Sequence, residues 1–307
     1  MGICSTNLGP IAAYALITRH PAAVRSLLRA LKSMERFRIP AGAQVWECPL
    51  QEPDILAAAN VIPEYVDGYL ITGDQQYLRR AAYWAWTGVP FVYQWRYPNR
   101  AIMPGATTPV FGSSFFTWSW MGRPVQWNGL AYAHALLTLA PYDHSFDWKK
   151  LAASITHCGM QEQQLHSPSS YGCYPDSYHL LSNKPFGPWL NPGVIMNNLF
   201  HIKEGVFAYP NTIAIQNGSR RWLMTSGAPC GSETNHGEIT LTVKPIKGIT
   251  SRLIVSSPFR PSSIELNGSP LTQVEKEQPE GSWWLWDATE NVTLIQVEKT
   301  TPFRLRL

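Results

Sequence analysis

Apolar residues recur at helical spacing through the first two thirds of the chain. In 53–72 the repeat of three or four positions follows a proline suited to a first helical turn, with apolar residues at Ile55, Ala59, Ile62, Val66 and Tyr69. Thr72-Gly73-Asp74 then ends that helix and caps the next, which continues to Gly88. The spacing therefore predicts a helical hairpin, with further helices in 10–38, 127–139, 147–164 and 192–200.

The pattern changes to a period of two after about residue 205. Ile239, Leu241 and Val243 alternate with polar residues, and four further short apolar runs follow at 253–255, 264–266, 283–286 and 292–295. Asn217-Gly218 and Asn267-Gly268 are strong signals for tight turns. The pattern predicts a helical-hairpin domain over 1–204 and a small antiparallel β-sandwich over 205–307.

Two segments, 89–126 and 166–191, have no sustained period. The first holds five prolines, and both are rich in aromatic residues. Because long irregular segments inside a domain usually have a function, we expect the two to meet at one face and line a cleft together with Glu47.

Composition narrows the classes of function. Hydrophobic residues make up 45% of the 307 and charged residues 15%, which is typical of a folded protein with a large core. The net charge of +4 is spread without a Lys/Arg cluster, which argues against a nucleic-acid partner. No apolar run reaches the ~18 residues that span a bilayer, and no signal peptide is recognised. We expect a soluble protein with no membrane span, whose compartment and oligomeric state stay open.

The stretch Ile-Thr-Gly-Asp-Gln-Gln-Tyr-Leu-Arg-Arg-Ala-Ala-Tyr-Trp-Ala-Trp (71–86) resembles hairpin turns of six-hairpin, or (α/α)6-toroid, carbohydrate-active proteins. Trp-Glu-Cys-Pro…Pro-Asp-Ile-Leu-Ala-Ala-Ala (46–59) resembles the loop and helix that open the preceding half-hairpin. The turn at 266–271 is similar to those of sandwiches that follow such toroids in lyases and hydrolases. The resemblance identifies no single family, and it implies a toroid over about 10–200. We count about eight helices where a full toroid has twelve, so either upstream hairpins are missing or the toroid is incomplete.

Common cofactor and metal motifs are missing from the sequence. We find no dinucleotide fingerprint, P-loop, zinc-protease motif or serine-hydrolase elbow, and the five cysteines form no C-x-x-C pair. We therefore predict no cofactor and no metal.

Two carboxyl groups lead the catalytic candidates. Glycoside hydrolysis needs one carboxyl kept protonated by an apolar setting and one that is ionised. Glu47 lies between Trp46 and Cys48 ahead of a helix, and Asp176 lies between Pro175 and Ser177 in the second irregular segment. The alternatives are a cap or salt-bridge role for Glu47 and a simple turn role for Asp176.

A polysaccharide lyase would use a Tyr or His base instead, beside a group that neutralises a uronate carboxylate. Tyr174 and His179 are the candidate bases. The candidate substrate-binding residues are Trp95, Arg96, Trp118, Trp120, Trp127 and Trp189. Their aromatic rings either stack on sugar rings or fill a loop-rich core.

The sequence favours a carbohydrate-active enzyme on a poly- or oligosaccharide, first a glycoside hydrolase with Glu47 and Asp176 as the acid/base pair. A polysaccharide lyase is the second hypothesis. A non-catalytic glycan-binding protein or truncated enzyme is the third. The helix pattern also predicts a solvated face for Glu64 and Asp67.

Overall fold

The computed structural model describes residues 1–46, 48–95, 104–110, 120, 123–179, 182, 184–205, 207, 211–217, 220–256 and 259–307. The fold is mixed helix and sheet. No helix in these residues is long and apolar enough to cross a membrane.

The helices lie where the 3.6-residue spacing predicts them, with a short additional helix at the start. They are α1 Gly2–Thr6, α2 Gly9–Thr18, α3 Pro21–Met34, α4 Ile55–Thr72, α5 Gln75–Gly88, α6 Gln126–Leu139, α7 Trp148–Gln161 and α8 Gly193–Glu204. The turn between α4 and α5 has the predicted cap, because the Asp74 side chain accepts a hydrogen bond from Gln76 N at 2.8 Å. Asp147 caps α7 in the same way through Lys150 N, at 3.0 Å.

The prediction that 166–191 is irregular is wrong. The segment folds into an antiparallel hairpin of β1 Tyr174–His179 and β2 Lys184–Leu190. Prolines at 175, 185 and 188 obscure the alternation of this segment in the sequence. Pro is tolerated in edge strands and at bulges, and a two-stranded sheet has only edge strands.

The remaining strands form two sheets. Their bounds are β3 Asn211–Asn217, β4 Arg220–Ser226, β5 Cys230–Asn235, β6 Glu238–Val243, β7 Ser251–Ser256, β8 Glu265–Leu266, β9 Ser269–Pro270, β10 Thr272–Gln273, β11 Trp283–Asp287, β12 Val292–Val297 and β13 Phe303–Arg306. One sheet has six strands in the order β10-β11-β12-β7-β4-β3, and the other has five in the order β5-β6-β13-β8-β9. The β10–β11 pair is parallel and the other pairs are antiparallel.

One hydrophobic cluster takes side chains from both of these sheets. Trp222, Val255 and Ile295 come from the six-stranded sheet, and Leu241 and Phe303 from the five-stranded sheet. The alternation at 239–243 is the cause, since every second side chain of β6 is buried and the residues between are not.

The chain divides into two compact units. The first comprises Met1–Gly9, Arg29–Tyr69 and Asp74–Lys203, and the second comprises Pro10–Leu28, Leu70–Gly73 and Glu204–Leu307. The second unit therefore holds both large sheets together with α2 and the first half of α3. A boundary after residue 204, between a helical-hairpin domain and a β-sandwich, remains our proposal.

The predicted solvated face at Glu64 is wrong. Glu64 is 7% exposed, and burial together with the nearby Asp67 carboxylate raises its pKa to about 8. Burial raises the pKa of Asp67 to about 7. Most side chains of the helix α4 are apolar, and Glu64 is buried among them, whereas Asp67 is partly exposed.

Candidate functional site

The two segments predicted to meet are in direct contact in their described parts. Tyr178 N on β1 donates a hydrogen bond to Pro124 O at 3.0 Å. The Arg123 guanidinium lies over the Phe186 ring, 3.7 Å from its centroid. These contacts bring the end of the first segment against the hairpin formed by the second, and Asp176 lies at the same junction.

Asp176 is held by two indole groups. Trp120 Nε1 donates to Asp176 Oδ2 at 2.9 Å, and Trp127 Nε1 donates to Oδ1 at 3.2 Å. The two indole rings pack edge to face with centroids 6.2 Å apart. An indole N–H can only donate, so both carboxylate oxygens act as acceptors and the carboxylate is oriented by a rigid aromatic pair.

A bulge in the hairpin sets the direction of Asp176. The register of β1 and β2 shifts between Pro175 and Ser177, so Gly187 and Pro188 together face Asp176. Gly187 has a φ of +88°, and a Cβ on it would lie 2.8 Å from the Cβ of Asp176. The close approach therefore requires glycine at 187. Bulges commonly re-aim a side chain next to a functional site.

A second carboxyl group lies near the same strand. Glu162 caps the C-terminal end of α7, and its Oε2 is buried without a hydrogen-bond partner among the described residues. Burial raises the pKa of Glu162 to about 8. The negative end of the helix dipole also disfavours the charged form here. Glu162 is thus a neutral acid at pH 7.

The charges of both carboxyl groups affect the pKa of Tyr174. Burial first, then the charges of Glu162 and Asp176, raise its pKa to about 12. The residue is 3% exposed and packs in a cluster with Leu130 and Ile195. A phenol in this setting keeps its proton at neutral pH and has little access to a substrate.

His179 is the last residue of β1, three residues along the strand from Asp176. Its Nδ1 is 2.6 Å from Ser182 Oγ and accepts a hydrogen bond from Ser182 N at 3.1 Å. The imidazole is partly exposed, and these two contacts orient the ring.

The predicted aromatic residues divide into two groups. Trp120 is 2% exposed and Trp127 half-buried, and both hold Asp176. Trp189 on β2 is 38% exposed, and Trp95 is 60% exposed and packs edge to face on Tyr93. The second group presents ring surface to solvent.

Three predicted site residues, Glu47, Arg96 and Trp118, lie outside the described residues. The residues flanking Glu47 are described, and Cys48 N donates to Gln44 O at 2.9 Å. Trp46, in the same turn, is 60% exposed.

Buried amide groups surround the first turn of α6. The Gln126 side chain donates to Gly105 O and Ile155 O and accepts from Thr107 N. Asn128 Nδ2 donates to Gln44 Oε1 at 3.2 Å, which makes a second buried contact from the same helical turn. Gln44, Gln126 and Asn128 are all at most 1% exposed.

Sequence reasoning did not single out these amides or Glu162. The signal that could have indicated the amides is Gln126-Trp127-Asn128, three polar-tipped side chains in a row at the start of a mostly apolar helix. No group of three or more His, Cys, Asp or Glu residues among the described residues could hold a metal ion.

No protein-family model and no curated protein matches the chain. The solved structures that are similar to it include the following three. The unsaturated glucuronyl hydrolase of Bacillus sp. GL1, responsible for glycosaminoglycan degradation, is 12% identical with a TM-score of 0.48 over 66% of this chain and 59% of that one. A D-mannose isomerase is 13% identical with a TM-score of 0.47 over 66% of this chain and 54% of that one.

A glycoside hydrolase is 12% identical with a TM-score of 0.35 over 99% of this chain and 55% of that one. The chain thus spans less than two thirds of the length of each of these three proteins. Their names all describe proteins that act on carbohydrates, and no single family is identified.

Proposed function

We propose that the protein hydrolyses glycosidic bonds in a poly- or oligosaccharide, with Asp176 as one catalytic carboxyl and Glu47 as the other. The observation that carries the proposal is the pair of indole N–H groups on the Asp176 carboxylate. They fix its direction on a bulged strand, and the adjoining strand carries the exposed ring of Trp189.

The setting suits a carboxylate that reacts as a base or nucleophile. A carboxylate whose orientation is fixed in advance avoids the cost of ordering during the reaction. The exposed indole of Trp189 offers an apolar surface on which a sugar ring can stack. Glu47, beside Trp46 and Pro49, supplies the acid in this proposal.

The geometry favours hydrolysis over elimination at this strand. A lyase base must reach the substrate and lose its proton, whereas Tyr174 is 3% exposed with a pKa raised to about 12. His179 is the more accessible of the two candidate bases. A lyase using His179 is therefore the alternative that the experiment must separate.

The test is turnover on a panel of neutral and uronate polysaccharides, with reducing ends and the absorbance of unsaturated products as two readouts. We expect new reducing ends without absorbance. Asp176→Asn keeps the shape of the side chain and one oxygen that can accept from an indole N–H. It should lower kcat by about 10²- to 10⁴-fold.

Glu277→Gln, an exposed carboxyl in the second unit, is the matched control and should leave kcat unchanged. Unsaturated products that survive Asp176→Asn but vanish in His179→Ala would replace the proposal with a lyase. Glycan binding without turnover would replace it with a binding protein.

A further inference from the structure

The first turn of α6 joins three separate parts of the chain. Three consecutive side chains leave it in different directions. Gln126 bonds the loop segment 105–107 and α7, Trp127 bonds Asp176, and Asn128 bonds Gln44. One helical turn therefore contacts both the strand that carries Asp176 and the turn that carries Glu47 in the sequence.

The contact to Gln44 is direct and buried. Asn128 Nδ2 lies 3.2 Å from Gln44 Oε1, and Gln44 Nε2 donates in turn to Pro109 O at 3.3 Å. The backbone carbonyl of Gln44 accepts from Cys48 N and closes the turn. Hydrogen bonds thus hold both the oxygen and the nitrogen of the Gln44 side-chain amide. They also fix the position of the first residue of the turn.

Stability alone does not explain the buried amide pair of Gln44 and Asn128. Asn128 Oδ1 is buried and has no hydrogen-bond partner among the described residues. A buried acceptor without a partner costs free energy, whereas an apolar pair of the same shape would not incur that cost. What the amide pair provides instead is direction, because a hydrogen bond fixes the register of two segments and an apolar contact does not.

We infer that Gln44 and Asn128 are positioning residues, and that their hydrogen bond sets the turn 44–48 against the Trp127-bound carboxylate of Asp176. The inference rests on the proposed function, in which that turn carries the second carboxyl. A misplacement of about 1 Å between reacting groups lowers turnover by about 10²-fold, so a rigid link between the two carboxyl-bearing segments has a direct catalytic consequence.

The first experiment does not require activity. Hydrogen exchange at the Cys48 amide reports the closed turn, and Asn128→Ala should speed it about tenfold, because the variant leaves the buried Gln44 Oε1 without its donor. Thr156→Val is the matched control. Thr156 is equally buried, but among the described residues its hydroxyl bonds only to Ala152 O within its own helix. An unchanged Cys48 rate in Asn128→Ala would overturn the inference.

A second variant separates positioning from simple packing. Gln44→Leu with Asn128→Leu removes both polar partners and keeps the volume filled, which is close to neutral for stability in general. We expect this double variant to retain its resistance to denaturant, yet to show fast Cys48 exchange and a kcat about 10²-fold lower with KM little changed. A double variant with normal kcat would show that the amides only fill space, and would overturn the inference.

The last arm tests the link to Glu47. In the Glu47→Gln background, Asn128→Ala should lower kcat no further, because the group it positions is already gone. An equal loss in both backgrounds would contradict positioning through Glu47. If the parent protein turns over no glycan at all, the proposed function fails while the Cys48 exchange rates still decide whether the bond holds the turn.

Discussion

The buried centres of the two units are built from different chemistry. In the second unit, one cluster of apolar side chains such as Leu241, Val255 and Trp284 lies between strands of both sheets. In the first unit, the start of α6 is surrounded by buried amides that bond backbone carbonyls and one another. Apolar packing tolerates exchange of one side chain for another of similar volume, whereas each amide has specific partners. The difference indicates that stability is the main demand in the second unit and exact geometry the main demand in the first.

The strongest test of this comparison exchanges one residue of each centre for methionine. Gln126→Met leaves Gly105 O, Ile155 O and Thr107 N without a side-chain partner. We expect the first unit to lose about 3 kcal/mol or more. Leu241→Met conserves volume in a fully apolar setting and should cost the second unit less than about 1.5 kcal/mol. Hydrogen exchange resolved by unit measures both values, and equal losses would remove the distinction.

A buried carboxyl group of the first unit offers a pH-dependent test of the same comparison. The folded protein keeps a proton on Glu162, whose pKa is raised to about 8 by burial, while the unfolded chain releases that proton above pH 4.5. Glu162 therefore lowers the free energy of unfolding progressively as pH rises from about 4.5 to about 8. Glu162→Gln removes the titration. It should match the parent near pH 4.5 and exceed it increasingly up to pH 8, by about 1.4 kcal/mol for each pH unit in between.

The control for this titration is Glu233→Gln on the exposed strand β5 of the second unit. Its difference from the parent should stay constant between the two pH values. Denaturant unfolding at pH 5 and pH 8 supplies the comparison. A flat difference for Glu162→Gln would mean that the carboxyl is hydrated in solution.

The sequence predicted the regular elements well because their signals are local. The alternation at Ile239, Leu241 and Val243 and the cap at Asp74 both depend on residues within one element. The hairpin at 174–190 was missed because prolines mask its alternation. Its register depends on a bulge opposite Gly187, which no local pattern indicates.

Only part of the candidate site was predictable, because its contacts join residues that are far apart in the chain. Asp176 could be proposed from its position in an aromatic segment, but its two indole donors lie 56 and 49 residues away in the chain. Gln44 and Asn128 are 84 residues apart, and neither is unusual by itself, since Gln44 is a polar residue in a loop and Asn128 one in the first turn of a helix. Only the tertiary contacts show that they bond each other in a buried position.

The smallest expected effect compares two exposed tryptophans of the first unit. Trp189 is 38% exposed on β2, opposite Pro175 and next to the Asp176 bulge. Trp86 on α5 is 47% exposed, but its ring packs edge to face on Trp148 and Phe146, with centroids 5.1 and 4.9 Å away.

If exposed rings bind sugar only beside the oriented carboxylate, Trp189→Ala should raise KM by about three- to tenfold, the equivalent of one stacking contact of about 0.5–1.5 kcal/mol. Trp86→Ala should leave KM unchanged, because the described contacts of the Trp86 ring include no carboxyl group that could act on a substrate. Steady-state kinetics on the best polysaccharide of the panel gives both values. A rise in KM for Trp86→Ala alone would move the substrate-binding surface away from Asp176, to the face formed by α5 and the start of α7.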